Sequence, residues 1–226
     1  MKFGEAKSRF FNFCTALLVA ITISHQATGQ SNWVPLGTTG WTSSSSFAKT
    51  KPASTPPTLS QWSGPVGNSE LAKLRSLISL AESWQDQYDA HHLSAKIPPS
   101  GKPSTMTIAD IQLWIAATPG QHHAIGRYQI VPETLQYLVD KSGISESARY
   151  SPALQDMFAD MLIYNAGYKE YMAGDISLGK FMDNLAGVWA GLPLQSGKSA
   201  YHNYAGNRAT ITRQLYESEM KRIFNS

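Results

Sequence analysis

Cysteine is nearly missing from this 226-residue chain: the one copy, Cys14, lies close to the N-terminus. No second cysteine is present to close an intrachain disulfide, and a thiolate cluster of the kind that holds structural zinc is excluded. Charge is sparse as well. With 19 Lys+Arg against 16 Asp+Glu, the formal net charge is +3, which argues against the dense cationic surface of a nucleic-acid binder. Long apolar runs are also lacking. Phe10 to Ile23 is largely apolar but is interrupted by Asn12, Thr15 and Thr22, short of the about 20 residues a membrane span requires. There is no Gly-x-Ser-x-Gly elbow, phosphate loop or dinucleotide fingerprint. The strings Gly126-Arg127-Tyr128-Gln129 and Gly167-Tyr168-Lys169-Glu170 do not have phosphate-binding spacing.

The N-terminus is organised differently from the rest. Lys2, Lys7 and Arg9 precede the apolar stretch, and Ala27-Thr28-Gly29 supplies small residues where a signal peptidase cuts. Residues 1–29 are therefore expected to be a secretory signal cleaved after Gly29. Its charged residues carry a net +2, so the exported chain would sit near +1 and hold no cysteine. Residues 30–67 read as a linker rich in Ser, Thr and Pro, with Trp33, Trp41 and Trp62 standing out against a polar background. Residues 68–226, about 160 in all, suffice for one domain with its own core.

Within that domain the apolar periodicity predicts a series of helices. The first spans about Ser69 to Glu82. A second opens at Thr107-Ile-Ala-Asp110, a capping-box pattern with Asp in place of Glu, and ends before Pro119-Gly120. Pro132-Glu133 and Ser151-Pro152 start two more, the latter burying Leu154, Phe158, Met161 and Leu162. The apolar positions Leu178, Phe181, Met182, Leu185, Val188 and Trp189 form a further stripe, stopped by Gly191 and Pro193, and a last amphipathic helix runs from about Arg208 to Ile223. Residues 84–104 have no helical period and several prolines, so loop or short strand is expected there.

Glu82 stands out chemically. It is in line with Leu71, Leu74 and Ile78, at offsets of three and four, on the apolar face of the first helix. Burial disfavours an ionised carboxylate, and so does the negative end of the helix dipole. Both push its pKa up, as a general acid near neutral pH requires; the alternative is a boundary Glu turned to water.

The run Ala124-Ile-Gly126-Arg127-Tyr128-Gln129-Ile130, together with Val188-Trp189-Ala-Gly191-Leu-Pro193, resembles the lambda-phage endolysin family of lysozyme-like, glycan-cleaving enzymes. The resemblance covers roughly Asn68 to Ser226, with Glu82 ending the first helix as the family's catalytic Glu does. It implies an α+β, lysozyme-like fold, mostly helical with one small antiparallel sheet beside the cleft, in or near 84–104. It also implies cleavage of peptidoglycan between N-acetylmuramic acid and N-acetylglucosamine, using a single Glu and the muramic acid's own C6 hydroxyl. No metal or organic cofactor is needed. The expected partner is the glycan strand, with no nucleic acid and no stable membrane insertion after signal removal. The protein is expected to act as a monomer in the periplasm or outside the cell.

Other residues carry two readings each. Tyr128 and Gln129 are either sugar-binding cleft residues or members of a structural strip. Trp189 belongs to an apolar stripe, so core packing competes with a ring edge in the cleft. Arg127 is expected to hold its loop by pairing with a carboxylate. Tyr164-Asn-Ala-Gly167 matches a string of goose-type lysozymes but falls where the lambda-type pattern has none. His91-His92 and His122-His123 invite a metal reading, which adjacent placement on a strand opposes because neighbouring side chains point to opposite faces. Asp86 and Asp89 are the carboxylates nearest Glu82 in sequence.

Overall fold

The first helix of the domain, α1 (Glu70–Glu82), begins as its sequence dictates: the Ser69 hydroxyl accepts the Ala72 N–H at 3.2 Å, and Glu70 sits on the positive end of the dipole. Residues 67–204 and 206–224 are described in a computed structural model of the chain; the expected signal and linker lie outside them, except for Gly67. Leu74, Leu77 and Ile78 of α1 are fully buried, and Leu80 and Ala81 nearly so, which makes α1 a central element rather than a one-sided surface helix.

After it come α2 (Ile108–Ala117), α3 (Pro132–Ser142), α4 (Pro152–Asn165), α5 (Tyr168–Met172), α6 (Leu178–Ala186) and α7 (Arg213–Phe224), of which α4 and α7 pack against it. Their starts are locally encoded. Thr107 and Asp110 form the reciprocal box that opens α2, and proline occupies the first turn of α3 and α4. The Ser151 and Ser177 side chains cap α4 and α6. α4 lies antiparallel to α1: Arg75 reaches Asp160 at 2.6 Å and approaches Asp156 at 3.6 Å, one turn earlier on α4. The common core gathers Phe158 and Ile163 of α4, Phe181 and Leu185 of α6, and Tyr216 and Met220 of α7, all essentially inaccessible. Each such side chain contributes about 1.5–3 kcal/mol through removal from water. Among the described residues no helix is long and apolar enough to cross a membrane.

The expected α+β fold with a small sheet is corrected here: the described residues are helical and contain no strand. Only isolated single-pair bridges occur, at His91–Ile125, Ile125–Ile130, Thr107–Arg149 and Pro193–Ser199. The reason lies in residues 84–104. Pro98, Pro99 and Pro103 donate no N–H to a ladder. Short 3-10 turns at Gln87–Asp89 and Pro103–Thr105 interrupt the chain. Side chains satisfy the backbone instead: the Gln155 amide donates to Tyr88 O, Trp114 Nε1 donates to Ile97 O, and Gln121 Oε1 accepts the Ile97 N–H. Two helix boundaries differ, and one short helix was not expected. α6 ends at Ala186, leaving Val188 and Trp189 beyond it; α7 starts at Arg213, not near Arg208; and the short α5 follows Gly167, whose φ of 101° breaks the path from α4.

Candidate active site

Glu82 is the last residue of α1, at the end where backbone carbonyls have no intrahelical donor. Its side chain is partly exposed, and its Oε1 accepts the Gly191 N–H at 2.8 Å. Burial pushes the carboxyl up from its usual 4.5 to about 7, and the Gly191 N–H opposes the rise by favouring the ionised form. No cation assists the charge and no second carboxylate opposes it among these causes. A group with this titration holds or releases a proton near neutral pH.

Gly191 reaches Glu82 because it has no side chain. A Cβ there would stand 2.5 Å from Ala81 O and 2.9 Å from Thr210 Oγ1. The segment Trp189–Pro193 leaves α6 and turns back onto the end of α1, with Trp189 N–H still bonded to Leu185 O at 3.0 Å.

The second wall is the turn Gly126–Gln129. Ile125 and Ile130 exchange both backbone hydrogen bonds at 3.0 Å, closing a minimal hairpin around these four residues. Gly126 takes φ 77°, and a Cβ on it would strike Gln155 Oε1 at 2.4 Å. Gln129 is also left-handed, at φ 45°, and its Nε2 donates to Gly126 O at 3.0 Å. Two contacts tie the turn to the rest of the site. The Ser83 hydroxyl, next to Glu82, donates to Arg127 O at 2.6 Å, and Trp189 Nε1 donates to Tyr128 O at 3.2 Å. Glu82, the turn and the Trp189–Pro193 segment, far apart in sequence, are thereby brought together.

Tyr128 and Trp189 face inward, at 1% and 3% exposure. The Tyr128 hydroxyl donates to Asp156 Oδ1 at 2.6 Å, and burial together with that bond holds its pKa above the usual tyrosine value. Gln129 remains partly exposed. Arg127 does not meet a carboxylate directly: its guanidinium donates to the Tyr88 hydroxyl at 2.6 Å, which in turn donates to Asp156 at 3.0 Å. Its Nε is buried without a hydrogen-bond partner. Asp86 is exposed, and Asp89 Oδ1 accepts the Ser104 N–H at 3.1 Å. Tyr164 lies at the other end of α1. It packs edge-on against Tyr168, which feels the charge of Glu70, about 18 Å along the helix from Glu82. The histidines are placed by other contacts: His92 stacks on His122 at 4.3 Å, and His123 Nε2 meets Thr118 Oγ1 at 2.9 Å.

Three supporting residues were not singled out from the sequence. Gly191 reads there as a helix stop and as a member of the Trp189–Pro193 motif, with no contact of its own assigned, and Thr210 carries no signal. Gln155 was detectable: it is a polar residue in register with Ala159 and Leu162 on the buried side of α4, and it is itself fully buried. Its amide donates to Tyr88 O and Tyr150 O and accepts the Arg127 N–H at 2.8 Å.

Fold and site together define a helical protein that holds one proton-poised carboxylate between a helix end and a tight turn. No protein-family model, curated protein or solved structure matches the chain.

Proposed function

We propose that this chain is an exported enzyme that cleaves the β-1,4 bond between N-acetylmuramic acid and N-acetylglucosamine in peptidoglycan, acting as a lytic transglycosylase. The observation that carries this reading is Glu82, bonded by one neutral N–H and pushed up to about 7, so that it donates a proton and takes one back near neutral pH. The ordered resemblance of the Glu82, Gly126–Gln129 and Trp189–Pro193 segments to the lambda-phage endolysin family supplies the substrate class. The basic and apolar N-terminus supplies the expectation of export to the periplasm or beyond.

In this scheme Glu82 protonates the glycosidic oxygen as the C1–O bond breaks through an oxocarbenium-like state. The C6 hydroxyl of the same muramyl residue closes on C1 and gives its proton to the Glu82 carboxylate, so the acid is restored and a 1,6-anhydro end forms. A nucleophile held within the substrate has a large proximity advantage, so this scheme needs no second carboxylate. A two-carboxylate hydrolase needs one at about 5–5.5 Å or 6.5–9.5 Å. Such a charge would add to the rise of Glu82, whereas burial alone is what raises it here. Gln129, with open surface, is the member of the turn suited to contact a sugar. Tyr128 and Trp189 hold that wall from behind. No metal or organic cofactor enters the scheme.

The test is digestion of purified cell walls beside chitin, with mass spectrometry of the released fragments. Clearing of walls with anhydro ends, lighter by one water than reducing ends, and untouched chitin are expected. Reducing ends alone would make the enzyme a hydrolase. Tight wall binding with no cleavage would make the chain a catalytically silent wall-binding module, and preference for chitin would replace the substrate.

A further inference from the structure

We propose that Thr210 is a positioning residue for Glu82, acting through the Gly191 backbone; the inference rests on the reading of Glu82 as the general acid. Thr210 makes three contacts, all to the two residues that fix that carboxyl group. Its hydroxyl donates to Ala81 O at 2.6 Å and lies 3.3 Å from Gly191 O, and its N–H donates to Gly191 O at 2.9 Å. Ala81 immediately precedes Glu82, and its carbonyl is one of those the end of α1 leaves without a helical donor. Gly191 supplies the N–H that Glu82 Oε1 accepts. Residue 210 therefore joins the backbone that carries the acid, held by its hydroxyl, to the backbone that orients it, held chiefly by its N–H, over sequence separations of 129 and 19 residues.

The chemical consequence concerns which oxygen carries the proton. The Gly191 N–H is a donor, so the oxygen facing it must accept; Oε1 is held as the acceptor and the acid proton belongs on Oε2. Loosening Gly191 lets the carboxyl turn and permits protonation at either oxygen. It also withdraws the one neutral donor that favours the ionised form, so Glu82 should titrate higher. A threonine that served only to close the helix end would stabilise the fold without affecting that titration.

Thr210 is exposed apart from its inward hydroxyl, which makes Thr210→Val a mild change for folding. The Glu82 side-chain carboxyl carbon is followed by NMR against pH in the full chain, for wild type, Thr210→Val and Thr210→Ser, beside kcat and KM on cell walls. In Thr210→Val the titration midpoint is expected to rise by about half a pH unit or more, the worth of one neutral hydrogen bond. kcat is expected to fall by about tenfold to a hundredfold with KM little changed. Thr210→Ser keeps the hydroxyl and should restore both. An unmoved midpoint with kcat within about twofold of wild type would overturn the proposal while leaving Glu82 as the acid. Should Thr210→Val not fold, Thr210→Ala carries the same expectations, and an unfolded Ala variant would assign Thr210 to stability alone. If wild type cleaves no wall, the enzymatic reading fails, and the NMR midpoint still decides whether Thr210 positions Glu82.

Discussion

The two halves of α1 treat a part-buried carboxylate in opposite ways. In the N-terminal half, Arg75 binds both oxygens of Asp160 at 2.6 Å and lies 3.6 Å from Asp156. Burial raises Asp160, but the guanidinium opposes it by hydrogen bond and charge. Beyond it lies a pile of rings in which Tyr168 meets Phe181 and Phe224, and Tyr171 stacks on Phe181 at 5.1 Å. In the C-terminal half, Glu82 accepts a single peptide N–H, no cation among the described residues offsets its burial, and it reaches about 7. The same desolvation is thus offset by an ion pair where a guanidinium is supplied, and leaves a carboxyl that titrates near neutral pH where only a neutral dipole is supplied.

The largest expected effect comes from removing the charge that the C-terminal half tolerates. Glu82→Gln keeps the shape and can still accept the Gly191 N–H, but it cannot deliver a proton; wall clearing should fall by about 10²–10⁴. Retention of a tenth of the activity would take Glu82 out of the mechanism. The same variant sharpens the contrast in stability. Because the folded carboxyl is raised from 4.5 to about 7, its contribution is present below about pH 4.5 and is lost as pH rises through 7. Glu82→Gln should therefore match wild type in unfolding free energy at pH 4 and exceed it at pH 8, by on the order of 1–3 kcal/mol for this partly open group, read from denaturant titrations at the two pH values. Wild-type activity, which needs the protonated acid, should decline above pH 7.

Gly191→Ala attacks the donor instead. The new Cβ would press on Ala81 O and Thr210 Oγ1, so the segment must back away from Glu82. A loss of about 1–3 kcal/mol is expected from overpacking. Activity should fall by about tenfold or more, measured per folded molecule after a denaturant titration. A fully active variant would show that the Gly191 contact is dispensable. Asp160→Asn tests the opposite half. It leaves Arg75 with Asp156 at 3.6 Å and should cost about 1–2 kcal/mol, since the pair is only part-buried, with activity per folded molecule unchanged.

The smallest effect is expected at the His92–His122 stack beside the turn. Burial first, then the charges of His122 and His91, hold His92 below its usual 6.5. A histidine lowered in the folded state stabilises above its unfolded value, and that stability is lost as pH falls below 6.5. His92→Gln should flatten the fall in thermal midpoint between pH 7 and pH 5. An unchanged slope would place the acid sensitivity elsewhere.

Much of the helical framework was legible because its signals are local. Ser69, Thr107 and Ser151 accept N–H groups three residues on, and Pro132 and Pro152 set φ within the first turn, so a short window contains each signal and what it acts on. The position of Glu82 on an apolar face was legible for the same reason, since the stripe it extends lies in its own helix. The small sheet was read from a resemblance, and the local prolines and side-chain competitors of 84–104 prevailed over it.

What the sequence by itself determined, then, is where most helices start and that one of them ends on a carboxylate aligned with apolar residues. The tertiary structure decided what that carboxylate became. Its donor, Gly191, is 109 residues away, and the threonine joining the two backbones is further along still. Tyr128 and Trp189 turned inward because their polar atoms found Asp156 and a peptide carbonyl inside the fold. A capping bond costs only the ordering of a few adjacent residues, so local sequence encodes it. A contact across a hundred residues forms only once the core has packed around it, and no short stretch of chain contains the information that it will.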